Sequence, residues 1–207
     1  MDRWDRRTFL TGAAIVAFAP GALAQTPPVA EDLPFATKIA IGAELRARKA
    51  EIYDPSYVKL KYPMGDVADD RGVCADTVIR AFRHAGVDLQ VEVHEDMARS
   101  FTAYPKSWGL KRPDSNIDHR RVPNLETFFR RKGGAQTLSK RASDYLPGDI
   151  VSWRLIGTTL PHIGVVTRKK NFLGAPLVAH NIGAGTQEEA CLFNWTMTGH
   201  FRFESWA

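Results

Sequence analysis

The chain has 207 residues, 44% of them hydrophobic and 25% charged, with 28 Lys+Arg against 23 Asp+Glu for a formal net charge of +5. These values are those of a globular domain and exclude a disordered chain, a collagen and a bare coiled coil. Two cysteines, Cys74 and Cys191, are too few for a disulfide-stapled miniprotein and make no C-x-x-C pair, so any special chemistry must come from single residues.

The chain opens with an address. Arg6-Arg7 precede Phe9-Leu10 and a short apolar stretch, and Ala22-Leu23-Ala24 supplies small residues at the spacing a signal peptidase requires. The pattern is similar to a twin-arginine export signal over 1–24, with cleavage expected after Ala24 and a periplasmic or exported destination. The apolar run from Phe9 to Leu23 contains Pro20 and two glycines and is shorter than the ~20 residues of a membrane helix, so no permanent anchor is expected. Loss of this segment takes away three arginines and two aspartates and leaves about +4. The remaining basic clusters, Arg120-Arg121, Arg130-Arg131-Lys132 and Arg168-Lys169-Lys170, are scattered and lack aromatic interleaving, which argues against nucleic acid as a partner.

Residues 25–36 carry Pro27, Pro28 and Pro34 and read as a linker, and a single domain is expected over 37–207. Ile41, Leu45 and Ile52 predict a helix from Lys38 to Ile52, capped by Thr37 and ended by Tyr53-Asp54-Pro55. After a loop rich in Gly and Asp, Val78, Ile79 and Phe82 predict a helix of about three turns that starts at Cys74 and stops at Gly86. Further helices are expected around Glu95–Phe101 and Leu125–Lys132. The proline-punctuated stretch Tyr104–Pro123 between them is long for a plain connection, and long ordered loops are often functional. Short β-type runs follow at Ile150–Trp153, Ile163–Val166, Pro176–Ile182 and His200–Phe203. Helices first and an antiparallel sheet second give an α+β fold.

Cys74 is the candidate nucleophile. Unpaired N–H groups and partial positive charge at a helix start favour thiolate over thiol, and the same edge offers donors to an oxyanion. A thiol nucleophile needs a base and a group that orients the base. His162 begins one strand and His180 lies in the next. A hairpin centred between Asn171 and Phe172 sets His162 opposite Asn181, within one residue of His180, so either polar residue can reach the imidazole. His119 is a rival base. His84 suits a helix C-terminus, His94 and His200 have structural roles, Asp149 fixes a turn, and Asp76 points away from direct catalysis.

A Tyr-x-x-Gly loop at Tyr62–Gly65, Cys74 at a helix start, Pro147-Gly148-Asp149 before a strand, His162-Ile163-Gly164-Val165-Val166 and then His180 together resemble the NlpC-type papain-like cell-wall peptidases. More closely, Gly72-Val73-Cys74, His94–Met97, Asn116–Leu125 and His180–Gly183 resemble an exported bacterial family that carries only an unknown-function label. The superfamily resemblance implies N-terminal helices with the nucleophile at a helix start packed on a C-terminal antiparallel sheet. It also implies cleavage of an amide bond in peptidoglycan stem peptides without metal or cofactor. Cys74 would be the nucleophile, His162 the base and then acid, His180 the orienter, and Tyr62 a residue lining the oxyanion site. Val73 and Ala75 flank Cys74 where such enzymes usually carry Asp and Ser, the residues that recognise the amino end of the stem peptide. The insertion residues Asp118, His119, Arg120 and Arg121 are candidates to bind a substrate carboxylate, or else to staple a long loop to the domain. Two other readings are a catalytically silent peptidoglycan-binding module and a periplasmic accessory protein stabilised by a Cys74–Cys191 disulfide.

Overall fold

The computed structural model describes residues 33–49 and 51–206. The expected signal and most of the expected linker lie outside them. Four helices precede a five-stranded antiparallel sheet. The helices are α1 (Phe35–Arg46), α2 (Cys74–His84), α3 (Leu89–Ser100) and α4 (Val122–Arg131). A two-residue parallel pair, β1 (Ile52–Tyr53) with β2 (Arg71–Gly72), lies before α2. The main sheet is β3 (Ile150–Arg154), β4 (Pro161–Lys170), β5 (Pro176–Asn181), β6 (Thr186–Glu189) and β7 (Thr196–Phe201), in the order β6-β5-β4-β3-β7. This is the α+β class and the arrangement implied by the resemblance, a helix-start cysteine packed on a C-terminal antiparallel sheet.

α1 differs from its expected span. It starts at Phe35, inside the expected linker, and ends at Arg46, while Ile52 belongs to β1. Leu45 and Ile52, which carried the periodic reading, are exposed at 43% and 60%. The buried face is built instead from Ile39, Ala40, Gly42 and Ala43. Gly42 permits this: a Cβ there would stand 2.9 Å from Ala81 Cα, so α1 and α2 approach at backbone distance. Glu44 fastens the other side. Burial pushes its carboxyl up, but hydrogen bonds from the Arg168 backbone and guanidinium outweigh that and hold it below its ordinary value.

α2 starts and stops where expected, with Gly86 at φ +89° beyond its end. α3 begins about two turns before the expected Glu95, because Asp88 caps it by accepting from Gln90 N at 3.1 Å. α4 begins at Val122 with Pro123 in its first turn, where a missing N–H costs nothing. β6 was not foreseen, since Thr186-Gln187-Glu188-Glu189 carries no apolar alternation.

The sheet buries both faces. Ile150, Ile163, Val165, Ala179 and Phe201 face the helices, with Cys74, Val78 and Phe82 in the same cluster. Val151, Trp153, Val166, Val178, Cys191 and Leu192 make a second cluster on the opposite face. The two cysteines therefore sit in different clusters and both are free, which removes the disulfide reading.

The first turn of α2 is held by one carboxylate. Asp76 Oδ2 accepts the Val73 N–H at 2.7 Å, and both its oxygens take Arg120, Nε and Nη2, at 2.9 Å each. The two side chains are 2% and 3% exposed, so removal of either leaves a buried, unpaired charge. Arg120→Met should lower stability by about 3–5 kcal/mol in denaturant unfolding. The double variant Asp76→Ala/Arg120→Met should recover most of that loss; additive losses would show that the pair does not act as a unit.

Candidate functional site

Three elements bring the candidate residues together. The start of α2 carries Cys74, β4 carries His162, and β5 carries His180. The N–H groups of Ile163, Ala75 and Cys74 itself lie near enough to the Cys74 sulfur to favour its thiolate, though none makes a hydrogen bond to it. The sulfur thus lies against the backbone of the residue that follows His162. It approaches from the helix side of the sheet, whereas His162 stands on the face that carries Trp153, its cross-strand partner. No hydrogen bond joins Cys74 to His162 in this resting arrangement.

His162 Nε2 and His180 Nδ1 are 2.9 Å apart. The hairpin pairs Val165 with Ala179 and Val166 with Val178, one residue away from the expected register. Continued, this pairing sets Gly164 opposite His180 and Ile163 opposite Asn181. Gly164 leaves the room that His180 needs, since a Cβ there would lie 2.8 Å from Val178 Cγ1 and 3.1 Å from His180 Cβ. Asn181 turns to the helix side, where its Nδ2 donates to Gly72 O at 3.4 Å. His180, not Asn181, is therefore the partner of His162. Beyond it, His180 Nε2 lies 2.9 Å from Glu189 Oε2, a short contact whose direction departs from linear.

The imidazole pair is walled by indoles. Trp153 stacks on His162 with centroids 5.8 Å apart, and Trp195 meets both rings edge-on at 5.5 and 5.7 Å. Burial pushes His162 down to about 3, with the neighbouring His180 adding to the effect, so it is neutral across the physiological range. Cys74 is 5% exposed, and burial pushes its thiol up to about 12. The Asp76 charge raises it further, while the N–H groups of Ile163, Ala75 and Cys74 pull it down without prevailing. The expected resting thiolate is thus corrected: desolvation outweighs the helix start, and the pair rests as thiol and neutral imidazole.

The tyrosine beside the sulfur is not the expected one. Tyr62 packs edge-on to His94 at 5.3 Å, near Glu95 and Asp88. Tyr53, on β1, pairs with Gly72 two residues before Cys74, and its phenol is pushed up first by partial burial and then by the charges of Cys74 and Asp76.

These features sit within an identifiable family. Residues 40–203 match the family described as Domain of unknown function (DUF1287). The chain belongs to this family. It is similar to "Uncharacterized protein YijF" of Escherichia coli (strain K12), 57% identical over 179 residues that cover 86% of this chain and 87% of the relative. Among solved structures it is similar to NlpC1 from Trichomonas vaginalis at 13% identity and a TM-score of 0.45, covering 84% of this chain and 45% of that one. Membership of DUF1287 agrees with the unknown-function label to which the cysteine, insertion and His180 segments pointed.

In this member of DUF1287 the insertion residues act as staples. Asp118 accepts the Asp114 N–H at 2.5 Å and pairs with Arg121, whose guanidinium lies over the Trp108 ring at 4.2 Å. Arg120 is consumed by Asp76 and also donates to Ser56 O at 3.3 Å. These three side chains are bound internally, which corrects the reading of the segment as a carboxylate site. His119, the rival base, is 2% exposed and held down to about 4, first by burial and then by Arg120. Its surroundings are Arg83, Asp88 and Asp66, toward the far end of α2 from Cys74. Asp149 does fix its turn, accepting the Leu146 N–H at 2.8 Å, and it also binds His200 and Arg202.

Sequence reasoning missed Tyr53, Glu189 and the two indoles. Glu189 reads as one charge in a polar run, and Tyr53 as the end of a helix; pairing between distant segments was needed to find either.

A thiol at about 12 carries far less thiolate at neutral pH than a free cysteine near 8.5. Iodoacetamide should therefore modify Cys74 at least about a hundredfold more slowly than free cysteine. Tyr53→Ala should raise the rate by opening the sulfur to water. Peptide mapping by mass spectrometry separates Cys74 from Cys191, and fast modification of Cys74 in the wild type would contradict the neutral resting pair.

Proposed function

We propose that this protein is an exported thiol hydrolase that cleaves an amide bond in peptidoglycan stem peptides. The observation that carries the reading is the series Glu189, His180, His162 at 2.9 Å steps, ending beside the backbone that touches the Cys74 sulfur. A carboxylate at His180 Nε2 keeps the proton on that nitrogen and leaves Nδ1 as an acceptor. His180 Nδ1 then accepts from His162 Nε2–H, so the unprotonated nitrogen of His162 is Nδ1, the one a thiol proton needs.

In this scheme substrate binding must rearrange the start of β4 so that His162 turns to the helix side and reaches Cys74, because the two approach that strand from opposite faces in the resting protein. The thiol proton passes to His162 Nδ1 while sulfur attacks the amide carbon. The N–H groups of Cys74 and Ala75 are positioned to receive the developing oxyanion. His162 returns the proton to the leaving amine, and water, deprotonated by the same nitrogen, releases the acid. A neutral resting pair suits this sequence, because the proton moves only when the substrate has excluded water. The stem-peptide substrate and the export route rest on the sequence motifs, and the net positive charge favours a polymer that bears carboxylates.

The burial of the thiol favours a second reading, a catalytically silent module that holds the same peptide. Incubation of the protein with defined muropeptides separates the two. Turnover by the wild type, abolished in Cys74→Ala and His162→Ala and retained in part by His119→Ala, is the expected result. Glu189→Gln should lower kcat by about tenfold or more through loss of the tautomer lock. Full activity in His162→Ala would assign the base wrongly, and binding without turnover by the wild type would support the silent module.

A further inference from the structure

We propose that the cavity between the segment after β1 and the insertion after α3 is a carboxylate-binding subsite, which holds the free carboxylate of a peptide ligand. The cavity measures about 880 Å³ and is lined by Tyr57, His94, Lys111, Arg112, Asp114 and Asn116 among others. That volume lies within the ~300–1,000 Å³ of small-ligand pockets.

Its charge is uncompensated. Asp114 is the one acid among the lining residues, and its carboxylate is already engaged. Oδ1 accepts from Asn116 N and Nδ2 at 2.9 and 2.7 Å, and Oδ2 accepts from Tyr57 OH at 3.1 Å. Lys111 and Arg112 are exposed and take part in no hydrogen bond or ion pair among the described residues. His94 Nδ1 is buried without a hydrogen-bond partner. Two adjacent unpaired cations, with a buried ring nitrogen of the lining His94 left without a partner behind them, match a planar anion, with Arg112 offering the two-pronged donor that carboxylates favour. The carboxylate-binding role expected of Asp118, Arg120 and Arg121 thereby moves a few residues upstream, to side chains the fold leaves free.

The position fits a substrate. Tyr57 is four residues after Tyr53, which pairs with Gly72 two residues before Cys74, and Ser56 between them is held by Arg120. Four residues span at most ~14 Å, so a short peptide can reach from the cavity to the Cys74 sulfur. In calling the ligand a substrate, the proposal rests on the hydrolase reading; carboxylate recognition itself does not.

The test uses the full chain as Cys74→Ala, which binds without turnover. Tri-alanine and tri-alanine amide, which differ only by the terminal carboxylate, are titrated while the His94 ring resonances are followed by NMR. The acid should shift those resonances and bind about tenfold more tightly than the amide, a difference of ~1.4 kcal/mol. Lys111→Gln/Arg112→Gln, two exposed positions whose change leaves the thermal midpoint unaltered, should abolish the preference. Equal binding of acid and amide, no shift at His94, or a preference that survives the double substitution would overturn the proposal. Selective binding together with failure to cleave muropeptides would keep this subsite and discard the hydrolase; cleavage without selectivity would do the reverse.

Discussion

The buried pair between Asp76 and Arg120 is the constraint from which the rest of the site follows. One carboxylate holds the Val73 N–H that precedes the helix and both nitrogens of a guanidinium from the insertion. Through Arg120 it also reaches Ser56 and so fixes the segment that follows β1. A buried ion pair is weak evidence for net stability but strong evidence for a unique arrangement, because neither partner can be relocated without an uncompensated charge. Its cost is electrostatic: the Asp76 charge adds to the desolvation that keeps Cys74 protonated.

Against that fixed helix start, the sheet supplies a second polar assembly with the opposite character. His162 and His180 are uncharged, packed between Trp153 and Trp195, and linked to one carboxylate at the surface. A neutral imidazole pair inside an aromatic wall costs less to bury than a charged one, and the His162–His180 hydrogen bond offsets part of that cost. Gly164 and the strand register make the relay possible, the first by leaving space for His180 and the second by setting that ring beside His162. The sulfur and the relay lie on opposite faces of β4, with Cys74 packed beside Ile163 and His162 beside Trp153.

Much of this arrangement was legible in the sequence where local rules dominate. The start of α2 at Cys74, its stop at Gly86 and the β-runs of β3, β4 and β5 follow from periodicity, a left-handed glycine and hairpin geometry, whereas β7 begins at Thr196, four residues before the expected His200. The His162–His180 neighbourhood survived an error of one residue in register, because two polar residues on β5 bracketed the target. Where tertiary contact decides, the sequence misled. α1 packs by a face of small residues that carries little hydrophobic signal, so Leu45 and Ile52 drew the helix too long. Tyr62 stood in the expected motif, yet parallel pairing of β1 with β2 carries Tyr53 to the cysteine. Arg120 looked free because its partner lies 44 positions earlier. The thiolate expectation weighed the helix start and could not weigh burial.

The central claim is that Cys74 is a nucleophile activated by His162 only when a peptide occupies the site. It is tested most directly by intact-mass spectrometry of the protein incubated with a stem-peptide analogue that carries an electrophilic carbon in place of the scissile amide. The account predicts one covalent adduct, mapped to Cys74, formed far faster than with iodoacetamide and lost in His162→Ala. Adduct formation that is equally fast without His162, or that falls on Cys191, would contradict it.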